Sequence, residues 1–257
     1  MTINLQLIGL YTLVRRELIR MFRIATQVFL PPVITTLLYF LIFGAVMGQR
    51  IGPIEGASYM LFIAPGLVMM SVITNAYINV STSLFSVRFQ KSIEELLISP
   101  MHDSLILLGY TLGGILRSVI VAILVFLVAY LFLDIDIKSL PMTLVIVVLV
   151  AAVFSLAGFT NGMLARSFDD VAIVPTFVLT PLTYLGGVFY STTMLPSVWQ
   201  HVSAFNPVLY MVNALRHVMI GQQNVNMTLA MSLICTMLVG LTVLNLVLLK
   251  KGVGLRE

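Results

Sequence analysis

Apolar runs of about twenty residues or more recur along this chain, at about 24–44, 58–84, 104–133, 142–165, 171–190 and 228–249, with short polar connections between them. A run of that length is what an α-helix needs to cross the roughly 30 Å hydrocarbon core of a bilayer. Composition agrees, since 60% of the residues are hydrophobic and 9% charged, against roughly 25% charged in an ordinary soluble domain. With 257 residues, five to seven spans fit and no sizeable soluble domain does. The expected fold is all-α and integral to the membrane: one domain over 1–257.

The formal net charge of +4 does not point to nucleic acid, because the basic residues are dispersed at the ends of the apolar runs, where cytoplasmic loop charge belongs. The single cysteine, Cys235, sits in an apolar run and has no intrachain partner to oxidise with.

Before the first span, Leu10, Val14, Leu18 and Met21 recur at helical spacing while Arg16, Arg20 and Arg23 follow the opposite face. That pattern predicts an amphipathic helix over 4–23, lying in the membrane interface with a basic side. Adjacent prolines, Pro31-Pro32, predict a kink or break in the first span. In the second, Asn75 and Asn79 stand one helical turn apart and should face protein or water. The third contains Gly109, Gly113 and Gly114, a spacing that lets another helix approach closely. The stretch 195–220 is apolar enough to enter the membrane but is broken by Asn206-Pro207.

Charge counting fixes whether that broken stretch crosses. If it does not, Arg15, Arg16, Arg20, Arg23, Arg88, Lys91, Arg166, Lys250, Lys251 and Arg256 share one side, and only Arg50, Lys138 and Arg216 lie on the other. A seventh crossing would move the last three of the first group outward and nearly erase the bias. The positive-inside rule therefore predicts six spans, with 195–220 a re-entrant helical pair dipping in from the external face and both termini cytoplasmic.

Between spans two and three lies a polar island, residues 88–103, which holds five of the chain's 24 Asp, Glu, Lys and Arg residues. Ser92 and Glu95 have capping-box spacing, Leu96, Leu97 and Ile98 form an oily side, and Pro100 stops continuation. A short helix across the gap fits this, and so does a capped surface turn. Asp169-Asp170 reads as a helix N-cap before span five.

No phosphate-binding loop is present, since none of the four lysines follows a glycine. No Ser, His and acid set and no metal-ligand spacing stands out either. No catalytic or metal-binding residue is assigned, and the energy for any transport must come from a partner. Arg117 is the one clear charge at membrane depth, where a substrate contact, a structural pairing and snorkelling all remain open.

The basic helix before the first span, the six spans, the segment Ser92 to Pro100 (Ser-Ile-Glu-Glu-Leu-Leu-Ile-Ser-Pro), the run Val174 to Val188, and Phe205-Asn206-Pro207 to Tyr210 with Leu215-Arg216 together resemble the membrane subunit of a type 2 ABC exporter. The likeness covers nearly the whole chain and is nearest to the family's small bacterial permeases. It implies a homodimeric export pathway in the bacterial inner membrane, surrounded by lipid and coupled to a separate ATPase subunit that binds ATP and Mg; this chain would bind no cofactor of its own. By the same resemblance 89–100 is the coupling helix, with Phe89, Ser92, Glu94, Glu95, Leu96, Leu97 and Pro100 as its contact residues. Arg16, Arg20 and Arg23 belong to a helix that braces the ATPase. Arg117, Asn75, Asn79, Pro181, Asn206 and Pro207 are the candidates for pathway or gate. A gradient-driven secondary transporter also fits broken, proline-rich helices, although the chain shows no internal repeat. A scaffold subunit without transport activity is the third reading.

Overall fold

The computed structural model describes residues 2–47, 52–93, 98–99, 101–222 and 226–254. In chain order its helices are α1 (Thr2–Arg23), α2 (Ala25–Tyr39), α3 (Tyr59–Phe89), α4 (Asp103–Phe132), α5 (Leu140–Leu164), α6 (Phe168–Leu185), α7 (Ser197–Ala204), α8 (Pro207–Ile220) and α9 (Met227–Lys251). Among the described residues the only bridge of sheet type is an isolated pair, Ile54 with Ala57. Six helices are long and apolar enough to cross a membrane: α2 continued to Gly44, α3, α4, α5, α6 and α9. The expected six spans and the all-helical class are both met.

Local chemistry sets where several helices begin and end. The Ser58 side chain accepts from Leu61 N at the start of α3, and Asn226 does the same for Leu229 N at the start of α9, each satisfying a backbone donor the first turn leaves free. Gly221 and Gly252 close α8 and α9 in the left-handed conformation, with φ of 78° and 66°, which only glycine adopts without steric cost. Ahead of α6 the cap is Ser167, which accepts from Asp170 N, while the Asp170 carboxylate accepts from Arg166 N. The pair Asp169-Asp170 thus sits in the first turn instead of capping it, because the neighbouring serine reaches the free donor first.

The proline pair does not end the first span helix, and the second span helix is longer than its apolar run. α2 runs through Pro31 and Pro32 without a break, and the chain widens only later, into a π-helical stretch at Phe40–Met47; in α6 a second such stretch starts at Pro175. Proline is tolerated inside membrane helices where neighbouring groups satisfy the carbonyls it leaves free, so the helix need not break. α3 extends past the apolar run to Phe89, so Phe89 closes the span helix instead of opening a separate one.

α3 and α5 form the centre. Buried residues fill 72% of the apolar window of α3 and 67% of that of α5, but only 17% for α2, α6 and α9. Backbones come together through small residues, since in lipid the helices gain nothing from hiding oil from water. A Cβ on Gly158 of α5 would lie 2.4 Å from the Tyr77 carbonyl oxygen of α3, and one on Gly114 of α4 would meet the Ser155 hydroxyl. The outer surface is apolar, with Leu131, Val239 and Leu127 more than half exposed, a surface that suits hydrocarbon and not water.

Loop contacts sort the helix ends into two groups. At one end Glu55 bonds with Ser191 and Gln222, and Lys138 N donates to Met219 O. At the other, Arg88 donates to Gly162 O and Ala165 O, and Phe89 meets Phe168 edge to face with ring centroids 5.3 Å apart. The stretch containing α7 and α8 therefore begins and ends against the same residue, Glu55.

Candidate functional site

The site is assembled on α1, α3 and α4. Gly109 and Gly113 open a groove on α4 that receives Leu13 and Glu17 of α1: a Cβ on Gly109 would lie 3.4 Å from Leu13 Cβ, and one on Gly113 2.9 Å from Glu17 Cβ. Leu13, Glu17 and Met21, at four-residue spacing, form the buried stripe of α1, with Glu17 only 3% exposed. The glycine spacing on α4 did foretell a close helix approach. Its partner is α1, packed lengthwise along the first half of α4.

That docking turns a polar edge of α1 into the protein. Glu17 accepts from Arg20 Nη2 at 2.8 Å and from Ser83 Oγ of α3 at 2.8 Å, and lies 3.5 Å from Arg16 Nη2. Arg16 also donates to the Tyr110 hydroxyl at 2.8 Å and lies over its ring. Burial alone lowers the pKa of Arg16, but Tyr110 and Glu17 outweigh it and hold the guanidinium above its ordinary value. Arg20 reaches further, donating to Asn79 Oδ1 at 2.8 Å and to Asn79 O at 3.2 Å. Arg16 and Arg20 are thus tied into the protein although each keeps part of its side chain exposed, and Arg23 lies on the exposed surface.

Arg117 comes to the same place from α4. Its Nε and Nη2 each donate to Asn75 Oδ1 at 3.2 Å, and Nη1 to Asn79 Oδ1 at 3.3 Å. Asn75, Asn79 and Arg117, expected separately from sequence, are therefore one cluster, and Arg20 joins it through Asn79. Glu17 was not anticipated, yet the signal was there: an acid three residues before Arg20, in step with Leu13 and Met21.

Two cavities flank the cluster. One, of about 370 Å³, lies between α2 and α3, with Pro31, Pro32, Thr35, Thr74, Asn75 and Arg117 in its wall. The other, of about 560 Å³, is lined by Arg15, Arg16, Glu17, Arg20, Arg23 and Ser92, among others.

The remaining candidates lie elsewhere. Asn206 caps α8 by accepting from Val208 N at 3.0 Å and donates to Leu182 O of α6 at 2.6 Å, with Pro207 in the first turn of the helix it caps. Pro181 is exposed on α6. None of these three lines either cavity around Arg117. Phe89 is 67% exposed and Ser92 lines the larger cavity; Glu94, Glu95, Leu96, Leu97 and Pro100 lie outside the described residues. Among the described residues no group of three His, Cys, Asp or Glu is placed to hold a metal ion.

Arg216, counted from sequence among the external charges and placed in the re-entrant pair, is 2% exposed. It donates to Phe62 O at 3.1 Å, Gly187 O at 2.9 Å and Asn213 Oδ1 at 2.9 Å, and its guanidinium lies 3.8 Å from the Phe62 ring centroid. Gly187, at φ of 72°, gives the turn that presents its carbonyl. Removing Arg216 from the charge count leaves Arg50 and Lys138 alone on their side, which strengthens the bias.

Six apolar spans around a buried polar cluster, with no nucleotide-binding motif of their own, define a membrane transport subunit, and the comparisons give its class. The ABC-2 type transporter family matches residues 9–220, and the chain belongs to that family: it is a permease, the membrane subunit of an ABC transporter. Over 254 residues it is 45% identical to the inner membrane transport permease YadH of Escherichia coli K12, covering 99% of both chains. It is also 25% identical over 197 residues to nodulation protein J of Rhizobium leguminosarum bv. viciae, 76% of each chain, and 24% identical over 222 residues to that of Rhizobium meliloti, 86% of this chain and 85% of the other. The family match starts inside α1 and ends with α8, so it takes in Glu17, Arg117 and Arg216.

Proposed function

We propose that this chain pairs with a second copy of itself to form the pathway of an ATP-driven exporter in the bacterial inner membrane, powered by a separate ATPase subunit that binds ATP and Mg and docks on the cytoplasmic segment 89–100. The observation that carries this reading is the end of α3. One unbroken helix runs from Tyr59 to Phe89, and its last turn is clamped to the end of α5 by Arg88, which bonds Gly162 O and Ala165 O. A push on the segment after Phe89 reaches the centre of the bundle through a rigid strut. Phe89 and Phe168 add an exposed aromatic pair beside that segment, both more than half open to solvent, the kind of anchor that partner surfaces bury.

α2, α6 and α9 are the sides left to lipid or to a second copy, being the least buried of the spans. α1 braces the ATPase from the membrane interface, and its exposed Leu7, Ile8, Tyr11 and Phe22 suit a lipid boundary. α7 and α8 form a re-entrant pair closing the external end, a reading supported by their return to Glu55.

Purified from its host membranes, the chain should bring down a nucleotide-binding subunit in equal amount. Phe89→Ala should leave that complex assembled and lower its coupled transport by about tenfold, the scale of losing one interface anchor. Gradient-driven flux by this chain alone, without an ATPase, would overturn the proposal.

A further inference from the structure

Along one face of α3 a stripe of hydroxyl and amide side chains runs through the membrane: Ser71, Asn75, Asn79, Ser83 and Ser86 at steps of three and four residues, with Thr74 beside Asn75. The smaller cavity opens on its first half and the larger on its second. Only Asn79 stands between them, and its Oδ1 accepts from both Arg20 of the larger cavity and Arg117 of the smaller. Two like charges thus share one neutral oxygen: Arg20 has Glu17 as its counter-charge, while among the described residues Arg117 is in no ion pair. Glu17 is the one carboxylate in the wall of the larger cavity, facing four arginines. Its ion pairs are with Arg16 and Arg20, and among the described residues none is made to Arg117. Arg20 Nε is also buried without a hydrogen-bond partner. Excess positive charge on a polar track, walled elsewhere by Val28, Leu67, Met70 and Ile78, calls for an anion attached to something apolar.

We infer that the two cavities form one binding track for an amphiphile with an anionic head group of the phosphate type, received among Arg15, Arg16 and Arg23 and passed across Asn79 to Arg117. Naming that amphiphile as cargo rests on the exporter reading above; the binding itself does not.

The test uses the purified chain in neutral detergent, with bound lipid counted by native mass spectrometry during titration with phosphatidylglycerol, phosphatidylcholine or inorganic phosphate. Phosphatidylglycerol should be retained over phosphatidylcholine by about tenfold, the scale of one charge-assisted contact. That ratio should fall to about one in Arg117→Gln, decrease in Arg23→Gln and survive in Arg117→Lys, which keeps the charge. Arg23→Gln, on the exposed surface, provides the reading if Arg117→Gln does not fold. Equal retention of the two lipids by the unaltered chain overturns the proposal, as does an undiminished ratio in both Gln variants. Displacement of the lipid by inorganic phosphate also overturns it, since the site would then serve a free anion. Failure to recover an ATPase subunit would undo the exporter reading and leave these ratios untouched.

Discussion

Glu17 is the residue on which the docking of α1 turns. It places a carboxylate, 2% exposed in its side chain, against two guanidinium groups that are 42% and 31% exposed. Breaking a fully buried pair by removing one partner costs about 3–5 kcal/mol, and the open arginines reduce that toward the surface value. Glu17→Gln, which keeps the shape and removes the charge, should therefore cost about 2 kcal/mol and lower the melting midpoint in detergent by about 6 °C. A thermal scan of the two proteins side by side checks it; an unchanged midpoint would show that the Glu17 charge does not hold α1 in place. Arg216 is the complementary case, a charge whose partners are backbone carbonyls of residues 154 and 29 positions away. Its pattern in sequence, a lone arginine in a short apolar helix, carries no trace of those acceptors, which is why it is counted as an external charge until the fold is seen.

At the scale of elements, the groove on α4 makes a prediction in geometry. The 3.4 Å separation between a Cβ at position 109 and Leu13 Cβ is close to the span of a disulfide. Leu13→Cys with Gly109→Cys, in a chain whose Cys235 is replaced by serine, should form an intramolecular bridge on mild oxidation, read as a mobility shift reversed by reductant; two free thiols after oxidation would place α1 elsewhere. The spans were legible because long apolar runs leave no other fold in a bilayer, and the polar pairs Asn75 and Asn79 stood out against that background. The direction in which α1 turns its charges was not legible. Periodicity shows that two faces differ, but an inward face can be polar when another helix offers serine, asparagine and tyrosine to meet it, as α3 and α4 do here with Ser83, Asn79 and Tyr110.

For the whole molecule, the two groups of helix ends and the charge bias combine into an orientation. Alkaline phosphatase, active only outside the cytoplasm, should be active when fused after Lys138 and inactive when fused after Lys91 or Lys251; activity at all three would dismantle the six-span topology. On the proposed orientation, α1, the arginine-lined cavity and the end of α3 face the side where the ATPase is proposed to dock. Ile24 alone separates α1 from α2, so the two helices cannot tilt independently over any distance. Arg20 is tied to Asn79 close to that junction. From there to Thr2 the helix extends about 27 Å, and Gln27 and Val28, just past the junction, already stand in the wall of the smaller cavity. α1 is thus one residue away from the helix that walls the cavity Arg117 faces, and the groove that seats Leu13 and Glu17 on α4 also fixes where that wall begins.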